Sequence, residues 1–197
     1  NQFVQEPFQP SSTKYDEKKR RYLVWNAVGS IVTKDDEIGN RIEIKFVDTS
    51  SSNKNEHFND NYGFELADLS SHGAIFATVP EDQLLESNQT TTSLLFEDDL
   101  KASDDKKKQV GSVIFYKSFS NKIEYGSCPS ENFTYSLQYR EVAVNVTVGI
   151  GWCAVVSKFN GLFYLRILSS TGIQLHISLL KNKSICLDLS FSIPFVT

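Results

Sequence analysis

The groups in this chain able to carry chemistry are three histidines, three cysteines and 24 carboxylates. His57 lies in a polar stretch, His72 in the turn Ser70-Ser71-His72-Gly73, and His176 inside the apolar run QLHIS. None belongs to an HExxH or HxH pattern or lies near a cysteine, so no metal site is expected. Asp68-Leu69-Ser70-Ser71-His72 brings Asp, Ser and His together. Triad members normally come from separate parts of a fold, and no G-x-S-x-G elbow is present. A polar turn closing a strand accounts for the same residues. Cys128, Cys153 and Cys186 are odd in number and widely spaced, which fits a reducing interior better than a disulfide framework. The acidic runs Asp35-Asp36-Glu37 and Glu97-Asp98-Asp99 lack the spacing of a calcium loop. Gly149 and Gly151 lack the downstream residues of a phosphate loop. No catalytic residue, cofactor or metal is therefore expected.

The elements that would position such groups are strands. Arg41–Val47 reads RIEIKFV, with Ile42, Ile44 and Phe46 on one face and Arg41, Glu43 and Lys45 on the other. That alternation predicts a half-buried strand. Further strands are expected at Tyr22–Trp25 with Gly29–Thr33, Tyr62–Leu66, Ala74–Val79, Ser112–Phe119, Phe133–Gln138, Val142–Val148, Cys153–Val156, Leu162–Leu168, Gln174–Leu179 and Ile185–Leu189. Turn residues separate them; Asn160-Gly161 is the sharpest, because both tolerate the positive φ of a type I′ hairpin. Helical patterns are almost absent, the best being a single turn at Glu81–Ser87. Trp25 and Trp152 read as core anchors, with Leu23 and Trp25 on one face of their strand and Val24 on the other. Gly151 suggests a bulge or a close backbone approach. The polar stretches 49–61 and 87–109 read as long exposed loops. The chain is thus all-β, as a sandwich, barrel or propeller.

Hydrophobic residues make up 40% of the 197, enough for a real core. The net charge of −4 disfavours binding nucleic acid through a general basic field. A basic tetrad, Lys18, Lys19, Arg20 and Arg21, is the candidate for phosphate contact and weak DNA binding. The opening NQFVQEPFQP lacks the charged and apolar regions of a signal peptide, and no window is apolar enough for a membrane helix, so no membrane partner is expected. Sequons at Asn88, Asn132, Asn145 and Asn182 motivate a competing reading, a secreted β-sandwich that binds carbohydrate or another cell surface. A β-rich hydrolase using His72 or His176 is a third.

Four blocks taken together are more specific: PFQPSST (Pro7–Thr13), RRYLVWNAVGSI (Arg20–Ile31), IEIKFVDTS (Ile42–Ser50) and FELADLSSHGAIFAT (Phe64–Thr78). In this order they resemble the replisome adaptor family known as chromosome transmission fidelity protein four in yeasts. In animals it is known as acidic nucleoplasmic DNA-binding protein, or WD-repeat and HMG-box DNA-binding protein. GWCAVVSKFNGLFYLRILSSTGIQ (Gly151–Gln174) is similar to the same domain further on. The resemblance covers most of the chain, 87–109 least.

In that family the blocks belong to a central, six-bladed β-propeller. The resemblance implies a non-catalytic nuclear scaffold of DNA replication and sister chromatid cohesion. It implies a homotrimer held together through the propeller. It also implies a link between the replicative helicase, through its GINS component, and DNA polymerase alpha–primase, with client peptides bound on a helical bundle. No helical pattern follows SFSIPFVT in this sequence. At about 40–45 residues per blade, the chain supplies three to four blades. The expected organisation is an extended segment at 1–19 and a partial propeller at 20–197. Phe163 and Tyr164, alternating on one strand, are the candidates for the trimer contact, because one of them must face away from its own sheet's packed side or into a neighbouring blade.

Overall fold

A computed structural model describes residues 13, 15–36, 39–48, 55–80, 111–119 and 131–180. Among the described residues, twelve strands form three four-stranded antiparallel meanders. The first sheet runs β1 (Arg20–Trp25), β2 (Gly29–Asp36), β3 (Gly39–Phe46) and β4 (Glu56–Asn59). The second runs β5 (Phe64–Leu69), β6 (Gly73–Thr78), β7 (Val113–Ser118) and β8 (Phe133–Ser136). The third runs β9 (Val142–Val148), β10 (Trp152–Phe159), β11 (Leu162–Ser169) and β12 (Gln174–Leu180). Strand β5 packs against β1 on one side and β9 on the other. The first strand of each sheet therefore lies innermost, and β4, β8 and β12 lie outermost. This is the arrangement of neighbouring propeller blades. A two-layer sandwich is excluded, because the middle sheet is covered on both faces.

That double cover explains the composition of β6. GAIFAT has no polar alternation because Ala74 and Phe76 enter one core while Ile75 and Ala77 enter the other. The core between the first and second sheets holds Leu23, Ile31, Ile42, Ile44, Phe64, Leu69 and Phe76. The core between the second and third holds Leu66, Ile75, Ile114, Tyr116, Val146, Val155 and Leu168. Hairpin chemistry sets the turns. Asn160 (φ 49°) and Gly161 (φ 80°) both take positive φ, as the Asn-Gly pair predicts.

Four expectations need correction. The polar loop expected at 49–61 contains strand β4, whose HFN segment pairs with β3 through Ile42↔Phe58; Phe58 is half-buried against the first core. One aromatic among asparagines suffices, because an outermost strand needs only one anchored face. Trp25 is not a core anchor: it is 64% exposed and stacks on Tyr22 at 5.4 Å. A bulge at Leu23, between the pairs Tyr22↔Val32 and Val24↔Ile31, breaks the alternation. It buries both Leu23 and Val24 and turns Trp25 out. The close backbone approach expected at Gly151 falls instead on Gly149, where a Cβ would lie 2.3 Å from the Trp152 ring. Finally, Tyr62 lies before β5 in an Asp60-capped turn: Tyr62 N–H (3.0 Å) and Gly63 N–H (2.8 Å) donate to Asp60 Oδ1. The expectations at 81–87, 87–109 and 185–189 lie outside the described residues.

Candidate interaction surface

The outermost strand of the third sheet, β12, exposes Leu175 (61%), Ile177 (43%) and Leu179 (49%). Ile173 precedes it and Leu162 opens β11, both exposed. Sheet register assigns the faces. Arg166↔Ile177 and Tyr164↔Leu179 are cross-strand partners, so Tyr164, Arg166, Ile177 and Leu179 share the face turned toward the second sheet. Phe163↔Leu180 and Ile167↔His176 place Phe163, Ile167, His176 and Leu180 on the opposite face. The two sequence candidates are therefore separated, Phe163 on one side and Tyr164 on the other. Both are half-buried.

Beneath the apolar strip lies a buried ion pair. Glu141 and Arg166 are 1% and 7% exposed. Arg166 Nε and Nη2 each donate at 2.8 Å, one to each carboxylate oxygen of Glu141. Ser157 Oγ and the Gln138 N–H also donate to that carboxylate. Arg166 Nη1 donates to Gln174 Oε1 (2.8 Å), which also accepts from Tyr135 Oη on β8 (3.0 Å). The chain of bonds thus crosses from the third sheet to the rim of the second. Burial pushes the Glu141 carboxyl upward, but the Arg166 guanidinium and Ser157 hydroxyl outweigh it and hold Glu141 below its ordinary value. Nearer the hub, Asp68 Oδ2 accepts from Thr147 Oγ1 and the Val148 N–H, both at 2.9 Å. Burial there wins, and Asp68 is raised.

These contacts bear on the other sequence candidates. Asp68 is engaged with β9, while His72 Nδ1 meets Ser71 Oγ (2.9 Å); the imagined Asp-Ser-His set does not assemble. His176 stands exposed on β12 and His57 on β4. In the basic tetrad, Arg20 donates from Nε (3.0 Å) and Nη2 (2.9 Å) to Asp16 Oδ2, and Lys19 pairs with Asp35 at 4.0 Å. Asp16 is held below its ordinary value, first by the Arg20 backbone N–H. Arg21 lies over the Tyr15 ring at 5.0 Å. Asn145 is 8% exposed, so a glycan could not be carried there on the folded chain. Asn132 Oδ1 accepts from the Ser118 N–H.

Residues 6–191 match the family described as minichromosome loss protein, Mcl1, middle region. The chain belongs to that family. This is the adaptor family that the four sequence blocks resemble. The chain is also 29% identical over 174 residues to protein ENHANCER OF LHP1 1 of Arabidopsis thaliana, covering 88% of this chain and 15% of the relative. It is 35% identical over 80 residues to human WD repeat and HMG-box DNA-binding protein 1, covering 41% of this chain and 7% of the relative. This chain thus spans a small part of either relative's length. For a member of the Mcl1 middle-region family, three radial four-stranded sheets are a partial β-propeller.

Sequence reasoning missed the exposure of Ile177 and Leu179, because LHISL alternates like any half-buried strand. The Glu141–Arg166 pair did leave a signal. An arginine inside LFYLRIL must either face water or find a buried partner.

Proposed function

We propose that this chain is a non-catalytic scaffold segment of a nuclear DNA replication adaptor, self-associating as a homotrimer through its propeller blades. The observation that carries the reading is the family match over residues 6–191. A rigid stack of sheets with an apolar rim supports it physically. Self-association needs a preformed, desolvatable surface, and exposed apolar residues clustered on one rim are unusual for a monomer. Phe163 and Tyr164 are the proposed contacts, one on each face of the third sheet. The coupling of replicative helicase to DNA polymerase alpha–primase is proposed for the whole protein. Lys18 and Arg21, which pair with no carboxylate among the described residues, are the proposed weak phosphate contacts.

Light scattering over a dilution series tests the assembly. A mass near three times 22.3 kDa is expected, and the Phe163→Lys/Tyr164→Lys variant should be monomeric. Monomer at every concentration would overturn the trimer. Retained trimer in the variant would move the contact elsewhere.

A further inference from the structure

We propose that Asn160 is a self-modification site, converted to isoaspartate through a cyclic imide, and that the β10–β11 turn holds the reaction off until the hairpin opens. The inference does not depend on the scaffold reading or on the trimer.

The chemistry needs a main-chain nitrogen beside a side-chain amide, with no Cβ on the following residue to block the approach. Asn160-Gly161 is the only Asn-Gly pair in the 197 residues. Both residues are exposed, and nothing lies within 4 Å of where a Gly161 Cβ would stand, so water reaches the site. The Gly161 nitrogen attacks the Asn160 side-chain carbonyl carbon. A C–N bond forms, the nitrogen loses its proton, and the amide nitrogen leaves as ammonia. Water then opens the five-membered imide. Hydrolysis at the main-chain carbonyl leaves the chain running through Cβ and Cγ, which is isoaspartate; hydrolysis at the other carbonyl gives aspartate. No oxidant or cofactor is required.

The fold opposes the first step. Phe159↔Leu162 is the last pair of the ladder, so Asn160 and Gly161 form a two-residue loop. Their φ values of 49° and 80° are those of a type I′ turn. Such a turn is the mirror image of type I and sets ψ of its first central residue at about +30°. The Gly161 nitrogen then lies nearly opposite Asn160 Cβ across the Cα–C bond, whereas ring closure needs the two nearly eclipsed. The turn must therefore open before the ring can close. Eight unbroken pairs, from Trp152↔Ser169 to Phe159↔Leu162, hold it shut.

The product does not fit the turn it came from. Isoaspartate adds one carbon to the main chain, and a two-residue loop has no slack to absorb it. A slip of register between β10 and β11 would turn Arg166 away from Glu141. Modification thus marks chains whose hairpin has opened and keeps them from closing to the same structure.

The full chain is aged at neutral pH, in buffer and in concentrated urea. Peptides are mapped by mass spectrometry for the amide-to-acid exchange, and isoaspartate is counted with a carboxyl methyltransferase specific for it. In urea, Asn160 should convert before every other asparagine. In buffer it should convert more slowly, by about tenfold or more. Asn160→Asp carries the product's charge on an ordinary backbone, and Asp tolerates left-handed φ, so this variant should keep the hairpin. Chains aged in urea and refolded should instead exchange the Phe159 and Leu162 amides faster than Asn160→Asp does. Equal rates in buffer and urea would overturn the gating. Another asparagine reacting first in urea would overturn the site. Refolded isoaspartate chains that match Asn160→Asp in exchange would overturn the effect on the hairpin.

Discussion

The two junctions between sheets are built from different materials. Between the first and second sheets the contact is an aromatic cluster. Phe58 meets Phe76 edge-on at 5.5 Å, and Phe64 stacks on Phe115 at 5.9 Å. Phe46 meets Phe119 at 5.0 Å. Polar side-chain bridges lie at its margins: Asn26 Nδ2 donates to the Leu69 carbonyl at 2.8 Å, and Lys117 Nζ on β7 pairs with Glu56 Oε2 on β4 at 2.8 Å. Between the second and third sheets, mostly aliphatic packing around the buried Tyr116 is interrupted by Asp68, Ser112, Glu141, Ser157 and Arg166, bonded to one another or to the neighbouring backbone. Apolar contact is non-directional and tolerates small slides, whereas a two-pronged guanidinium–carboxylate pair accepts one geometry. The comparison yields a hypothesis: the first junction contributes mostly cohesion, while the second also fixes how one blade sits on the next.

The sharpest way to break this contrast is to remove one partner of the buried pair. Arg166→Leu leaves the Glu141 carboxylate buried and unpaired, and should cost about 3–5 kcal/mol in urea unfolding. Replacing both, as Glu141→Leu/Arg166→Leu, should recover most of that loss. If the double variant melts cooperatively and keeps native side-chain dispersion in NMR spectra, the pair is dispensable for the geometry and the hypothesis fails. In the apolar junction, Phe76→Leu should cost about 1–3 kcal/mol, by an amount that does not change between roughly pH 4 and 8. A pH-dependent cost would mean that the junctions are coupled.

The acid limb sharpens the contrast further. Glu141 has a depressed folded pKa, so its contribution is present above its ordinary value of 4.5 and is lost as the pH falls through the folded value. Asp68 has a raised pKa, so its contribution has the opposite sign. It is fullest below the ordinary value of 3.8 and is lost as the pH rises through the folded value. Thermal melts below about pH 4.5 should therefore fall less steeply in the Glu141→Leu/Arg166→Leu variant than in the wild type. An unchanged acid slope would assign acid sensitivity elsewhere. The smallest effect should come from Trp25→Ser, within about 0.5 kcal/mol in the same melts, because the ring is mostly in water. A cost of several kcal/mol would mean that the exposed Tyr22–Trp25 stack carries more than surface packing.

Much of this was legible in the sequence because period-two alternation is a local property. Arg41–Val47 reads as a half-buried strand whatever it packs against, and it forms β3. The strand at Glu56–Asn59 was not legible. Its four residues carry one aromatic, and its pairing with β3 is a contact across a loop. Trp25 was misplaced because alternation assumes an unbroken register, and the bulge at Leu23 inserts one residue. Family membership, by contrast, was carried by the order of several short blocks.

The sequence by itself determined an all-β chain of meanders, the positions of most strands and the Asn160-Gly161 turn, because side-chain alternation and backbone φ are set within a few residues. Only the tertiary structure decided which faces are covered. Whether Phe163 and Tyr164 point together or apart followed from the alternation, but what each one faces did not. The burial of Arg166 depends on Glu141, 25 residues earlier in the chain. The exposure of Ile177 and Leu179 depends on which elements pack against β12, not on the strand's own alternation. Burial is a property of neighbours, and neighbours distant along the chain are not written in any one strand.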